Sequence, residues 1–168
     1  HKYGKVIIND ISAGELDPLI VDVAAEHDVP YVAMHMKGDP RTMQSMTDYR
    51  DIVAEVVDYF RERTAQLRER GVRRIVVDPG FGFAKTLEQN YELLRGLHRL
   101  AELGYPVLAG VSRKSMIYKL LGTTPAEALN GTTALHWECL RQGAAILRVH
   151  DTREAVEVVR MFDQFMQA

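Results

Sequence analysis

Five short apolar segments punctuate the chain: Lys5-Val6-Ile7-Ile8, Tyr31-Val32-Ala33-Met34, Arg74-Ile75-Val76-Val77, Val107-Leu108-Ala109-Gly110 and Ala145-Ile146-Leu147-Arg148. They are nearly continuous in aliphatic residues rather than alternating, which is the pattern of parallel strands covered on both faces. Four of them run into polar clusters, at Asn9-Asp10, Asp78-Pro79-Gly80, Ser112-Arg113-Lys114 and Arg148-Val149-His150-Asp151, and the other ends His35-Met36-Lys37-Gly38. Helical periodicity fills the intervals. It is clearest from Asp48 to Arg70, where Ile52, Val53, Val56, Val57, Phe60, Thr64 and Leu67 form one stripe and most of the acidic residues lie elsewhere on the wheel. Gly71 is placed to cap that helix. Shorter helices are predicted from about Leu16 to His27, Leu87 to Leu103, Thr132 to Arg141 and Thr152 to Gln167, the last opening on Asp151 and Thr152 as candidate caps.

Strand followed by helix, five times over, with short loops, implies a parallel sheet in one α/β domain covering residues 1–168. Two architectures satisfy that pattern, an open doubly wound sheet and a segment of a (β/α)8 barrel, and periodicity does not choose between them. Both bind ligands at the carboxyl ends of their strands, where the polar clusters fall. A length of 168 residues at 46% apolar content suffices for one sizeable core, and no composition shift divides the chain. The formal charge of −2, from 21 basic and 23 acidic residues spread along the sequence, suggests neither a nucleic-acid footprint nor a membrane-surface patch. Cys139 is the single cysteine, and no apolar run is long enough to cross a bilayer, which points to a reducing, cytoplasmic setting. The opening His1-Lys2-Tyr3-Gly4 lacks an initiator Met, and the start reads as internal to a larger protein.

Each cluster has a functional and a bland reading. Asp78, in Asp78-Pro79-Gly80-Phe81-Gly82-Phe83, puts a carboxylate at the ligand-facing rim, able to accept two hydrogen bonds from a guanidine-like ring edge; equally, it could simply stabilise a Gly-rich turn. The glycines match neither a Walker loop nor G-x-G-x-x-G, so no nucleotide is implied. Ser112-Arg113-Lys114-Ser115 stands where a helix N-terminus favours an anion or a carbonyl, yet adjacent cations are often a solvated pair. Arg148 and His150, two residues apart on a strand, share one side and could grip one pyrophosphate, or could pair with Asp151 and Glu154. Asn9-Asp10 offers an amide to a heterocycle edge, or a turn. His35 lacks neighbours at metal-ligand spacing and reads as a satisfied core or rim histidine, and Met34 on its own evidence as core.

Taken in order, I-I-N-D-I at Ile7 to Ile11, M-H-M-K-G-D-P at Met34 to Pro40, D-P-G-F-G-F at Asp78 to Phe83, G-V-S-R-K-S at Gly110 to Ser115 and R-V-H-D at Arg148 to Asp151 resemble dihydropteroate synthase. The resemblance implies a (β/α)8 barrel, of which this chain carries the fourth to eighth βα units. It implies that the pterin site comprises Asn9, Met34, Asp78 and Lys114, with Gly82 and Phe83 at its edge. Asp78 would take the guanidine-like edge and Lys114 the ring's polar side. Arg148 would lie over the pterin face and, with His150, hold pyrophosphate, and Ser115 would stand near the para-aminobenzoate end.

The implied reaction is loss of pyrophosphate from the pterin methylene and attack by the arylamine, with Lys114, Arg148 and His150 as the catalytic set and no covalent enzyme intermediate. Mg²⁺ is implied as cofactor, its usual protein ligand lying outside this chain, as do a further pterin-binding Asp and the two loops that enclose the substrates. A homodimer through late helices such as that from Thr152 is also implied. Two rival readings are a folate-to-corrinoid methyltransferase, which needs no strand-end pair for pyrophosphate, and a non-catalytic pterin-binding fragment.

Overall fold

The computed structural model describes residues 4–38 and 47–167. His1, Lys2 and Tyr3, and Asp39 and Pro40 of the M-H-M-K-G-D-P motif, lie outside the described residues. Five parallel strands, β1 (Ile8–Asp10), β2 (Tyr31–Met34), β3 (Ile75–Asp78), β4 (Leu108–Ala109) and β5 (Ile146–Leu147), alternate with α-helices α1 (Leu19–Glu26), α2 (Ile52–Glu69), α3 (Leu87–Arg95), α4 (His98–Ala101), α5 (Ser115–Leu121), α6 (Leu129–Arg141) and α7 (Thr152–Gln167). β1, β2 and β3 pair in sequence, β4 pairs with β5, and a parallel bridge between Val77 and Val107 joins the two groups. Spatial order therefore follows chain order without reversal. A doubly wound sheet must reverse, so the arc is built as a barrel wall.

Side-chain alternation divides each strand between two environments. Tyr31, Ala33, Ile75, Val77, Val107 and Ala109 belong to the large core under the helices, whereas Val32, Val76 and Leu108 form a separate small cluster on the concave side. The seven residues of the α2 stripe are all buried, as the periodicity predicts. Gly71, at φ +90°, ends α2 in a Schellman turn: its N–H reaches Arg68 O at 2.9 Å and that of Val72 reaches Leu67 O at 3.0 Å.

Several boundaries differ from the sequence expectation. β1 begins at Ile8 rather than Lys5, because Ile8 N–H is the first to find a neighbour, Pro30 O at 2.9 Å, while Val6 and Ile7 stay 48% and 65% exposed on an edge strand. The expected helix from Leu87 to Leu103 is two helices, separated at Gly96, whose missing Cβ would stand 2.6 Å from Val53. The sequence reading placed a helix start at Ser112 to Ser115 without giving α5 a range, and started α6 three residues late.

Candidate functional site

The concave face ends in a row of polar groups set by strand register. Met34 pairs with Asp78, Asn9 with Val32 and Leu108 with Ile146. Counting by twos from the concave cluster, Met34 follows Val32, Asp78 follows Val76, Gly110 follows Leu108 and Arg148 follows Ile146, so the same face continues into the rim.

Asp78 is fully buried. One carboxylate oxygen, Oδ1, accepts Gly80 N–H at 2.8 Å, which is the turn-stabilising role. The other, Oδ2, lies 2.9 Å from Arg148 Nη2 yet has no aligned hydrogen bond. The turn-stabilising role is thus filled by Oδ1 alone, and Oδ2 keeps acceptor capacity for a donor arriving at the rim.

Arg148 is 39% exposed and spans the arc: besides Asp78, it donates from Nη1 to Asn9 Oδ1 at 3.0 Å. The guanidinium lies flat against Gly110, where any Cβ would come 2.7 Å from Nη2. Asn9 is thus a rim group, while its neighbour Asp10 makes the turn, accepting from Ser12 N–H at 2.8 Å, Gly14 N–H at 2.6 Å and Tyr31 O–H at 2.6 Å.

Lys114 precedes α5 and reaches back over the Asp78 to Phe83 loop. Its Nζ donates to Phe81 O and sits 4.7 Å from the centre of the Phe83 ring, and its stem passes Gly82, where a Cβ would meet Cδ at 3.4 Å. Burial pushes its ammonium down to about 8; Asp78 partly restores it and Arg148 opposes it. Lys114, Gly82 and Phe83 therefore form one assembly next to Asp78. Met34, 1% exposed, floors the site beneath Gly80. Ser115 opens α5 and is half-buried.

His150 lies at the same rim, but its partner is Ser112 rather than Arg148. Ser112 Oγ accepts the His150 N–H at 3.2 Å and stands 3.0 Å from Nδ1. With the hydroxyl proton given to Nδ1, the imidazole carries its own proton on Nε2 and is a donor toward solvent. Arg113 leaves the site: its guanidinium forks onto Asp151 at 2.8 and 2.7 Å and onto the carbonyls of Pro125 and Ala126. The alternative reading in which Arg148 and His150 pair with Asp151 gives way to this contact. His35 is a satisfied core histidine, 6% exposed and edge-on to Tyr59 at 4.9 Å. The sequence reading missed Lys85, buried at 8% exposure beneath the same loop; a lysine directly after D-P-G-F-G-F-A and before a capping Thr86 was its only signal.

Comparison with known proteins identifies the family of the chain. Residues 1–150 match the family described as "Pterin binding enzyme". The chain is 43% identical over 163 residues to the dihydropteroate synthase of Synechocystis sp., covering 95% of itself and 56% of that protein. Among solved structures, dihydropteroate synthase from Thermus thermophilus in complex with 6HMPPP superposes with a TM-score of 0.91 at 41% identity, covering 97% of this chain and 65% of that one. The same enzyme in complex with 4-aminobenzoate gives 0.91 and 41%, over 97% of this chain and 64% of that one. The chain thus spans between 56% and 65% of the length of these relatives. A strand arc in barrel order, 41–43% identity to dihydropteroate synthases over nearly the whole chain and a family match over residues 1–150 lead to one assignment: the chain belongs to the pterin-binding enzyme family.

Proposed function

We propose that this chain supplies the pterin-binding part of a dihydropteroate synthase, which condenses 6-hydroxymethyl-7,8-dihydropterin pyrophosphate with para-aminobenzoate to give 7,8-dihydropteroate and pyrophosphate. The observation that carries the proposal is Asp78: a fully buried carboxylate with one oxygen committed to its own turn and the other turned to the rim without an aligned donor. The aminopyrimidine edge of a pterin offers N–H donors, one of which Oδ2 can accept while the second lone pair of Oδ1 remains for another. The relatives solved with 6HMPPP and with 4-aminobenzoate support the two substrates.

In this reading Asp78 and Asn9 hold the heterocycle edge, Met34 lies under it and Lys114 donates to its polar side above Gly82 and Phe83. Arg148 lies over the ring and exchanges part of its present contacts for pyrophosphate. The bond from the pterin methylene to the pyrophosphate oxygen breaks with its electron pair, and the arylamine nitrogen of para-aminobenzoate, near Ser115, forms the new C–N bond and releases a proton. Arg148 and the Nε2–H of His150 stabilise the departing anion, which is the larger part of the catalysis. Mg²⁺, which the resemblance implies, would find its usual protein ligand outside this chain and would neutralise charge on the substrate's phosphates.

We also propose a homodimer through α7, where Val156, Met161, Phe165 and Met166 are exposed next to the Trp137, Phe162 and Phe165 ring cluster. The proposed setting is the cytoplasm. Cys139 is a free, buried thiol that burial pushes up to about 12, so it is poorly suited to exchange.

Calorimetric titration with the pterin pyrophosphate, wild type against Asp78→Asn, tests the reading. Asn keeps the acceptor for Gly80 N–H but lacks the charge and turns a donor toward the ligand. Binding should weaken by roughly a hundredfold, as expected for a pair of charge-assisted hydrogen bonds. Equal binding by both proteins sinks the assignment of Asp78.

A further inference from the structure

Lys85 takes no part in the chemistry above, yet its surroundings are specific. It lies beneath the Asp78 to Phe83 loop, with Nζ 2.9 Å from Phe83 O, 3.1 Å from Gly80 O and 3.2 Å from His35 Nδ1. An ammonium has three protons and no lone pair, and here it meets three acceptors. His35 is held neutral, near 3, by burial first and then by Lys85 and Lys37, so Nδ1 presents a lone pair and the ring proton sits on Nε2.

The rest of the loop is divided between that buried anchor and the rim. The Gly80 to Phe83 turn closes on itself, Phe83 N–H to Gly80 O at 3.1 Å, and Gly82 N–H is held by Asn90 Oδ1 at 2.7 Å. Between the two carbonyls that face Lys85, the carbonyl of Phe81 faces outward and accepts from Lys114. A single turn thus carries Lys85 on one side and Lys114 on the other.

We propose that Lys85 is a positioning residue: it fixes the Gly80 to Phe83 turn from beneath, so that the Phe81 carbonyl and the Phe83 ring hold Lys114 at the pterin. The proposal rests on the pterin reading for its ligand, but its structural half concerns the free protein alone. The charged and titratable groups around Lys85 are His35 at the end of β2, Asp78 at the end of β3 and Lys114 before α5, with Lys37, Tyr49 and Tyr59 facing His35. Burial brings Lys85 down to about 7, with Asp78 favouring and Lys114 opposing its charge. As pH rises through that value, the neutral amine keeps two N–H groups for three acceptors, and the turn loosens.

The test uses the full chain with substitutions Lys85→Met and Lys85→Gln, the second retaining an amide donor in case the first does not fold. Two readouts are taken: amide hydrogen exchange at Gly82 and Phe83 in the free protein, and calorimetric affinity for the pterin pyrophosphate from pH 6 to 9. Exchange at those amides should accelerate about tenfold and affinity should fall about tenfold, the scale of one hydrogen bond to a charged donor. The decline of wild-type affinity that begins near pH 7 should vanish in the variants, leaving the later step at Lys114. A lysine that only stabilised the fold would lower the melting temperature without changing the shape of the pH profile. Wild-type exchange at Gly82 and Phe83, or wild-type affinity with an unchanged profile, overturns the proposal. Should wild type bind no pterin pyrophosphate, the pterin reading falls, and the exchange measurement alone decides on Lys85.

Discussion

Replacing Gly110 by Ala separates binding from stability more sharply than any change to the charged groups. Gly110 sits at the end of β4 with an ordinary backbone conformation, so a methyl group strains nothing in the main chain. That methyl would lie 2.7 Å from Arg148 Nη2 and 3.2 Å from both Cζ and Nε. Ordinary contact begins near 3.4 Å, so the guanidinium must withdraw by about 0.7 Å. Its hold on Asp78, 2.9 Å, and on Asn9, 3.0 Å, cannot both survive a displacement of that size. Since the end of a long side chain can move cheaply, the fold scarcely registers the change. A gain of about 0.4–1 kcal/mol from the stiffer unfolded chain opposes the weaker pairing of Asp78, and the unfolding free energy should stay within about 1 kcal/mol of wild type. Affinity for the pterin pyrophosphate should fall by roughly ten- to a hundredfold, the equivalent of one charge-assisted contact. Chemical denaturation and calorimetry on the same samples provide both numbers. Wild-type affinity in a well-folded Gly110→Ala protein would refute the claim that Arg148 acts from the position it occupies against Gly110.

Two further substitutions probe the rest of the rim. Gly80→Ala should cost more than about 2 kcal/mol in urea denaturation, because φ there is +69° and the added Cβ would stand 2.2 Å from the His35 carbonyl. Lys114→Met tests the pH dependence: the folded value near 8 lies below the ordinary 10.5, so between these values the unfolded chain binds more protons and this group makes stability rise with pH. Pterin affinity runs the other way, falling above pH 8 as the ammonium is lost, and the variant should lack Lys114's share of both slopes.

Much of this was legible in the sequence, for identifiable reasons. The α2 stripe is legible because six apolar positions and Thr64 at helical spacing leave one way to bury them. Asp78 and Arg148 were legible as candidate rim groups because strand ends carry ligands in both candidate folds, whereas Asn9 also read as a turn and Met34 as core, and only the family resemblance put those two at the site. What was lost depended on contacts distant in sequence. β1 begins late because hydrogen bonding to a neighbour, not apolar content, defines a strand edge. The extent of α5 was left undefined because Ser115 to Leu121 is only seven residues, too few for a periodic stripe, although its start was read at the preceding motif. The role of Arg113 turned on Asp151, 38 residues on, and that of Lys85 on His35, 50 residues back; no periodicity reports such pairs.

The division of labour along each strand explains why site and fold can be perturbed separately. The helix-facing residues Tyr31, Ala33, Ile75 and Val77 carry the main core, and their neighbours one step along, Val32, Met34, Val76 and Asp78, face the concavity. A shift of one residue in register would exchange the two sets and bury the wrong one, so the packing that fixes the register also fixes Asp78 at the rim. The cost of burying that carboxylate is met locally by Gly80 N–H and Arg148 rather than by the core. Substitutions on the concave side, such as Gly110→Ala, therefore reach the ligand first, whereas those at the turn that supports it, such as Gly80→Ala, reach both. Opposite outcomes for these two variants, with Gly110→Ala unfolding and Gly80→Ala merely binding less, would mean that the rim and the core are not the separate sets that the alternation defines.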